Sequence, residues 1–497
     1  MKKLLITLLP VLALAACNSG GGFHDQYSNN SQMTTKSVGS GSDASILTQT
    51  SNFDQTRIGF AARFTGQSAQ LQVAFSPYNV ANDTHTANDC ENAVAIYNAT
   101  IAPIKAVSTQ TTLDSVWNKD EYFNCNDGIT KMVVQGINDA TQSIYAAVYD
   151  FNNPDITYAL IQKKQQNPNM DIQVIADQSN LTSTDSMIAV LKQNNIPVYI
   201  SAAYSIMHNK FMVFDRKAVE YGSFNYSTTA AAEQANNAIL IDNSNIVKTY
   251  TDRWNKIRQN ESTSIYQVSQ SQYRDTPYIP DGFIAVTPSD KTGIAATQIH
   301  ILNINSAQID VVHELANVLN SNLTCPTDIA TIGGICLPDY NYVSTDSQGK
   351  KQYNKNTAFY NLIDSAKTSI QIAVFAFSDS ELLYRLKKAE SRGVNVQVVA
   401  DYNWNMTGDG LKYSIVQKLA NAGIEVRTNT NYEILHNKYM IVDGETVQTG
   451  SYNYTGSAST ANAENYQIYY NQPELALLYQ QDWQELFNEG TKVQPQS

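Results

Sequence analysis

One motif occurs twice in this chain at a fixed spacing, and that constrains the fold more than any other feature. The first copy reads His208-Asn209-Lys210-Phe211-Met212-Val213-Phe214-Asp215, followed by Gly222-Ser223-Phe224-Asn225. The second reads His436-Asn437-Lys438-Tyr439-Met440-Ile441-Val442-Asp443, followed by Gly450-Ser451-Tyr452-Asn453. The offset is 228 residues, from 208 to 436, and it holds equally for Lys210 and Lys438, Asp215 and Asp443, Gly222 and Gly450, and Asn225 and Asn453. Duplication of one folding unit is the economical explanation, so whatever the first copy folds into, the second must fold into as well.

The flanks repeat in the same order. Hydrophobic periodicity predicts a helix over Met132 to Ala140, a strand over Ser143 to Asp150, a helix over Tyr158 to Gln166 and a strand over Asp171 to Asp177. In the second half Ala358 to Ala366, Ser369 to Phe377, Glu381 to Ser391 and Asn395 to Asp401 give the same succession. Helices then follow at about Asp185 to Asn194 and Lys412 to Asn421, leading into short strands at Pro197 to Ile200 and Ile424 to Arg427. Strands alternating with helices imply parallel strands joined by right-handed crossovers, and thus an α/β fold with helices on both faces of each sheet. The stretch from about Asn260 to Lys355, with its five prolines Pro277, Pro280, Pro288, Pro326 and Pro338, is less regular and reads as a connection followed by an elaboration of the second half.

Within each motif the histidine and lysine are two apart, so on an extended strand both side chains leave the same face. The mostly apolar residues up to Asp215 and Asp443 mark a buried strand. Gly-Ser-x-Asn then supplies a glycine for close backbone approach and an amide that donates two hydrogen bonds to phosphate oxygens. One half alone is a weak constellation. Two facing copies provide a nucleophile, a proton donor and cations, the set that phosphodiester cleavage needs. Neutral imidazole attacks phosphorus without help from a metal or other cofactor, so none is expected.

These paired motifs resemble those of the phospholipase D superfamily, over about Thr130 to Tyr470 and less well across Asn260 to Lys355. The resemblance implies two pseudo-twofold-related α/β/α sandwich lobes whose motifs meet in one active site. It also implies that one histidine becomes phosphorylated while the other protonates the leaving group, with Lys210, Asn225, Lys438 and Asn453 binding phosphate. Asp215 and Asp443 look structural in that family, as do Gly222, Ser223, Gly450 and Ser451. The amino-terminal histidine is often the nucleophile in relatives, which assigns attack to His208 and acid catalysis to His436. A carboxylate commonly bonds the far nitrogen of such a histidine and fixes its tautomer. Glu464 matches that position in the second half, whereas Asn236 replaces it in the first; either Glu233 compensates from nearby, or the imbalance separates the two histidine pKa values and fixes their roles. The remaining histidines His24, His85, His300 and His313 have no ligand spacing, and Phe224, Tyr226, Tyr452 and Tyr454 read as core.

The amino terminus bears on location. Met1-Lys2-Lys3 is a basic start, Leu4 to Ala13 an apolar run too short to span a membrane as a mature helix, and Leu14-Ala15-Ala16-Cys17 follows. This resembles a bacterial lipoprotein signal in which Cys17 is acylated, which implies export and, in a Gram-negative host with Asn18 rather than Asp, the outer membrane. Residues 18–55, rich in Gly, Ser, Thr, Asn and Gln, read as a flexible tether. Residues 56–265 and 266–490 then form the two halves. Cys90, Cys125, Cys325 and Cys336 are an even set for an oxidising compartment and allow three connectivities. Cys90 to Cys125 with Cys325 to Cys336 is favoured because each pair precedes one repeat. A zinc site is the weaker reading, since no CxxC spacing exists.

Net charge of -12 argues against wrapping long nucleic acid, though not against a local basic cleft. The leading expectation is a phospholipase D-like enzyme that hydrolyses phospholipid headgroups to phosphatidic acid, with transfer to alcohols as a second outcome. A metal-independent nonspecific nuclease of the same superfamily is the alternative. Loss of catalysis with retained phosphate binding is disfavoured by the completeness of both motifs.

Overall fold

The computed structural model describes residues 60–76, 128–183, 185–268, 299–313, 335–336, 342–345, 351–353 and 357–496. The expected signal segment with Cys17, the tether, His24, His85 and the cysteines Cys90, Cys125 and Cys325 lie outside the described residues. Cys336 falls in a two-residue strand, and its expected partner Cys325 is among those outside.

Strands of the first lobe are β1 (Phe60–Ser76), β2 (Ser143–Val148), β3 (Asp171–Asp177), β4 (Val198–Ser201), β5 (Phe211–Phe214), β6 (Ala218–Gly222), β7 (Gln234–Ile241) and β8 (Thr263–Ser264). Those of the second are β9 (Ile299–His313), β10 (Ile335–Cys336), β11 (Tyr342–Thr345), β12 (Lys351–Tyr353), β13 (Ser369–Val374), β14 (Asn395–Asp401), β15 (Glu425–Asn429), β16 (Ile434–Leu435), β17 (Lys438–Val442), β18 (Thr446–Gly450), β19 (Asn465–Tyr470) and β20 (Thr491–Lys492). The predicted parallel unit is present in both: β2 pairs β3 and β3 pairs β4, as β13 pairs β14 and β14 pairs β15. The motif strands β5 and β17 run antiparallel to β2 and β13, and each continues through a hairpin into two further antiparallel strands.

The two half-sheets are joined into one. β1 pairs β7 along one edge and β9 along the other, while β9 goes on to β19. A 15-residue strand thus stands inside the stretch that the sequence reads as an irregular connection. The β1–β9 ladder is interrupted between Phe64 and Ala69, where Gly66 and Ser306 adopt positive φ of 68° and 53°. Its central residues repeat as Ser68-Ala69-Gln70-Leu71 and Ser306-Ala307-Gln308-Ile309, so the pseudo-twofold axis runs through this seam. Arg63 of β1 donates to both carboxylate oxygens of Asp310 on β9 at 2.7 and 2.8 Å, and Tyr470 of β19 donates to the same carboxylate at 2.9 Å.

Helices cover both faces, as expected. Gly128–Asp139, Pro154–Gln166 and Ile188–Gln193 bury Ile129, Met132, Ile156, Leu160 and Leu191 on the outer face of the first half-sheet. Thr357–Ser365, Ser380–Ser391 and Val416–Asn421 do so in the second, with Phe359, Leu382, Leu386 and Leu419. Asn153 and Asp379 cap equivalent helices by accepting from the backbone N–H groups of Ile156 and Glu381. Between the lobes lie the long helices Ser244–Asn260 and Pro473–Glu489, which put Tyr250, Trp254, Tyr479 and Trp483 into one core shared by both lobes. The indole N–H of Trp254 donates to Ala146 O at 2.9 Å, and that of Trp483 to Ile372 O at 3.0 Å. Aromatic side chains of this size each bury about 150–250 Å², so the lobes are fixed to one another by apolar area rather than by a hinge.

Candidate active site

The two histidines sit where chain from one lobe enters the other. Just before the first motif, Met207 bridges Ala463, and the His208 N–H donates to Ala463 O at 2.9 Å. Symmetrically, β16 pairs β7 in parallel, and the His436 N–H donates to Ala235 O at 2.8 Å. Each histidine is thereby threaded beside the Gln234–Asn236 or Asn462–Glu464 stretch of the opposite lobe.

That exchange decides the ring contacts. His208 Nδ1 lies 2.8 Å from Glu464 Oε2 and 3.0 Å from Oε1, while His436 Nδ1 lies 2.8 Å from Asn236 Oδ1. Position 464 therefore serves the histidine of the first lobe and position 236 that of the second. Glu233 does not stand in for the missing acid; its carboxylate lies by Glu433. The orientation of the Asn236 amide is set by its own nitrogen, which donates to Ala230 O and Gln234 O, both at 3.2 Å, and so leaves Oδ1 toward the ring. With Nδ1–H donated in both cases, Nε2 is the reacting nitrogen of each ring.

The serines of Gly-Ser-x-Asn brace these partners. Ser451 Oγ donates to Glu464 Oε2 at 2.7 Å, Asn462 Nδ2 donates to Oε1 at 3.1 Å, and Ser223 Oγ donates to Asn236 Oδ1 at 3.2 Å. The preceding glycines permit it: a Cβ on Gly222 would stand 2.1 Å from Asn237 O, and one on Gly450 2.3 Å from Asn465 O. Two further carboxylates, which the sequence reading left as strand ends, fix the approach to each histidine. Asp177 Oδ2 accepts from the Met207 N–H at 2.7 Å and Asp401 Oδ2 from the Leu435 N–H at 3.0 Å, each the residue before its histidine. The repeated endings Val174-Ile175-Ala176-Asp177 and Val398-Val399-Ala400-Asp401 were the available signal.

Lys210 and Lys438 curl back so that Nζ donates to the carbonyl of His208 at 3.0 Å and of His436 at 2.6 Å. Each ammonium also faces an aromatic ring, Lys210 over Tyr149 at 5.0 Å and Lys438 over Phe375 at 5.3 Å. The same rings wall the histidines, at 5.1 Å for Tyr149 with His208 and 5.3 Å for Phe375 with His436. All four motif side chains are 4% exposed or less, and so are Asn225 and Asn453. The buried Asn225 Oδ1 has no donor among the described residues.

Asp215 and Asp443 stand apart from this cluster. Asp215 accepts from the backbone N–H groups of Thr141, Gln142 and Ser143, and Asp443 from those of Lys367, Thr368 and Ser369, all at 2.6–3.1 Å. Each ties its motif strand to the loop entering β2 or β13, in a left-handed conformation with φ of 52° and 54°. Burial alone would raise these carboxyls, but the backbone donors outweigh it and hold them below the usual range. Phe224, Tyr226, Tyr452 and Tyr454 are fully buried, as their alternation implies, and His313 is a core residue whose imidazole burial and Arg253 push down to about 3.

The electrostatics differ between the two histidines. Burial pushes the Glu464 carboxyl up to about 8, against the pull of Lys210, Ser451, Asn462 and Lys438. His436 is pushed well below the ordinary imidazole value, first by burial and then by Lys438, Lys210 and His208. One ring is backed by an acid that stabilises positive charge on it, and the other by a neutral carbonyl that does so less.

A duplicated α/β chain with two His-x-Lys motifs oriented across a pseudo-twofold axis defines a class of protein with one composite site per chain. Comparison with known proteins agrees. The family described as "Cardiolipin synthase, PLD-like domain" matches residues 133–258 and 359–487, one copy in each lobe. The chain belongs to the phospholipase D superfamily. A phospholipase D of Rickettsia prowazekii is 35% identical over 137 residues, which is 28% of this chain and 66% of that protein. A mitochondrial cardiolipin hydrolase of Danio rerio is 35% identical over 135 residues, 26% of this chain and 57% of that protein. The chain thus spans somewhat under two thirds of the length of these relatives. Among solved structures, the phospholipase D family member Nuc from Salmonella typhimurium is 36% identical, with 28% of this chain and 91% of that one covered and a TM-score of 0.27.

Proposed function

We propose that this chain is a phosphodiesterase that hydrolyses phospholipid headgroups to phosphatidic acid through a phosphohistidine. The observation that carries the mechanism is the unequal support of the two rings: Glu464 on His208 and Asn236 on His436. Attack by His208 Nε2 on phosphorus expels the headgroup alcohol and leaves the phosphoryl imidazole positively charged, which the Glu464 carboxylate offsets. His436 gives its Nε2 proton to the departing oxygen, and an imidazolium without a carboxylate partner is the stronger acid. Water then attacks phosphorus, His436 takes its proton, the P–N bond breaks and phosphatidic acid leaves. Lys210, Lys438, Asn225 and Asn453 hold the phosphoryl oxygens, whose developing charge two buried ammonium groups stabilise far better than water would. An alcohol in place of water gives transphosphatidylation.

The phospholipid reading is supported by what the relatives are named for, phospholipase D and cardiolipin hydrolase. We further propose that Cys17 is lipidated and becomes the amino terminus on removal of residues 1–16, that residues 18–55 tether the two halves to the outer membrane of a Gram-negative host, and that Cys90–Cys125 and Cys325–Cys336 are disulfides. The Leu14-Ala15-Ala16-Cys17 run and the even cysteine count support this.

The test is to incubate residues 18–497 in EDTA with mixed phospholipid vesicles and measure phosphatidic acid against His208→Asn and His436→Asn. Phosphatidic acid that disappears with either substitution supports the reading. None from any headgroup, with plasmid degraded instead, replaces it with the nuclease.

A further inference from the structure

We propose that Glu233, Gln234 and Glu433 form a subsite for a primary ammonium carried by the leaving alcohol, so the enzyme is built for aminoethyl-type headgroups. The proposal rests on the phospholipid reading above and names the headgroup class.

The residues belong to the His436 side of the cleft, where that mechanism puts the departing alcohol. In the β7–β16 pairing Gln234 stands opposite Ile434, and the Glu433 N–H donates to Glu233 O at 3.0 Å, so the two carboxylate-bearing positions are neighbours across the lobe boundary. Gln234 leaves the same face of β7 as Asn236, which bonds His436. Two to three residues of extended chain, roughly 7–10 Å at 3.3 Å per residue, separate this cluster from the histidine. A two-carbon amine extending from phosphorus, met by the reach of a glutamate side chain, covers that span. Trp404 continues the wall, its ring 6.4 Å from that of Phe375, which in turn lies 5.3 Å from His436. Asn403 ties the same loop to Glu433 by donating to its carbonyl at 3.4 Å.

What the cluster lacks is a donor. Gln234 is 1% exposed, and its Nε2 donates to Glu433 Oε2 at 3.2 Å, yet its Oε1 has no donor among the described residues. Neither Glu233 nor Glu433 makes an ion pair with a Lys or Arg among the described residues. Burial and the neighbouring Glu433 push the Glu233 carboxyl up, as expected for two acids left facing each other. Two neighbouring carboxylates and an unsatisfied amide oxygen are together short of one cation with N–H donors. A primary ammonium meets every one of these, a glycerol headgroup brings no charge, and choline has no N–H for Gln234. The equivalent positions on the other side are Ser205 and Ala461, so the site exists once, beside the histidine that protonates the leaving group.

The experiment compares kcat/KM for phosphatidylethanolamine, phosphatidylcholine and phosphatidylglycerol in neutral mixed micelles, for wild type, Glu433→Gln and the double variant Glu233→Gln/Glu433→Gln. Wild type is expected to favour ethanolamine over glycerol by about tenfold or more, one such interaction being worth that factor. The double variant should bring the ratio near one, mainly through loss on phosphatidylethanolamine. If the double variant loses all activity, the ratio in Glu433→Gln decides, and it must fall. A wild-type enzyme without ethanolamine preference, or a preference that survives the substitutions, overturns the subsite and leaves the phospholipid reading standing. Wild type inert on all three lipids overturns both.

Discussion

The carboxylate of Glu464, carried by the second lobe, lies 2.8 Å from Nδ1 of His208 in the first. The reciprocal position in the first lobe is Asn236, and it reaches His436 at the same distance. The duplication is thus symmetric in backbone and unsymmetric in charge at the one pair of positions where charge decides which nitrogen attacks and which gives up a proton. Neither lobe holds a complete site, because each histidine is oriented by the other lobe.

Glu464→Gln keeps the shape of that contact and removes the group that can take up negative charge when His208 becomes positive. Turnover is expected to fall by about 10²-fold or more, within the range for loss of a positioned acid–base group, with the loss in kcat and little change in KM. Quench-flow with radiolabelled substrate reads it, because the rate of phosphohistidine formation should fall with the steady-state rate. A mutant that forms the intermediate at the wild-type rate would remove Glu464 from the first step.

Gly450→Ala tests the close approach that lets Ser451 reach Glu464. The new Cβ would stand 2.3 Å from Asn465 O, and neither partner is the flexible end of a side chain. The strands β18 and β19 must separate, so a loss on the order of 2–4 kcal/mol is expected in urea unfolding, at the upper end for single substitutions. The same substitution at Gly456, where nothing lies within 4 Å, is the control and should cost far less.

Much of this was legible in the sequence. The 228-residue offset names the partners of His208 and Lys210 without reference to a structure, although the two residues lie just ahead of β5 rather than on an extended strand as the spacing implied. The strands Asp171–Asp177 and Asn395–Asp401 carry long apolar runs and fall at the expected bounds. What could not be read was which histidine Glu464 serves, since that depends on how the lobes cross rather than on any local pattern. The seam was hidden for another reason. β1 and β9 alternate apolar residues with Gln, Ser and Asn, as in Gln67-Ser68-Ala69-Gln70-Leu71-Gln72-Val73, and their offset of 238, from 68 to 306, differs from that of the motifs.

Glu220 is a buried acid with no part in the chemistry, and its stability cost depends on pH. Burial raises its carboxyl to about 8, partly offset by a hydrogen bond from Tyr226, while the second lobe has Gln448 bonded to Tyr454 at the equivalent place. A folded-state value above the unfolded one means that the protonated acid stabilises fully below about 4.5 and that this contribution is lost as pH rises toward 8. Glu220→Gln removes that dependence. Its thermal midpoint relative to wild type is expected to rise between pH 5 and pH 8, by the equivalent of about 1–4 kcal/mol at roughly 1.4 kcal/mol per unit. A difference that stays constant over this window would place the Glu220 proton elsewhere.

Asn236→Asp is the substitution that separates the roles of the two histidines. It gives His436 the carboxylate that only His208 now has, at a ring nitrogen 2.8 Å away, and a charge at that distance raises an imidazole by about 1–3 units. If His436 is the proton donor, it must be protonated when the alcohol leaves. The alkaline limb of the kcat profile should therefore move up, while the plateau falls several-fold because the imidazolium has become a weaker acid. If His436 were the nucleophile, its neutral form would be required, and the limb that moves up would be the acidic one. The pH profile of the single variant thus distinguishes the assignments by which limb shifts, and the shift of the alkaline limb is the expected result.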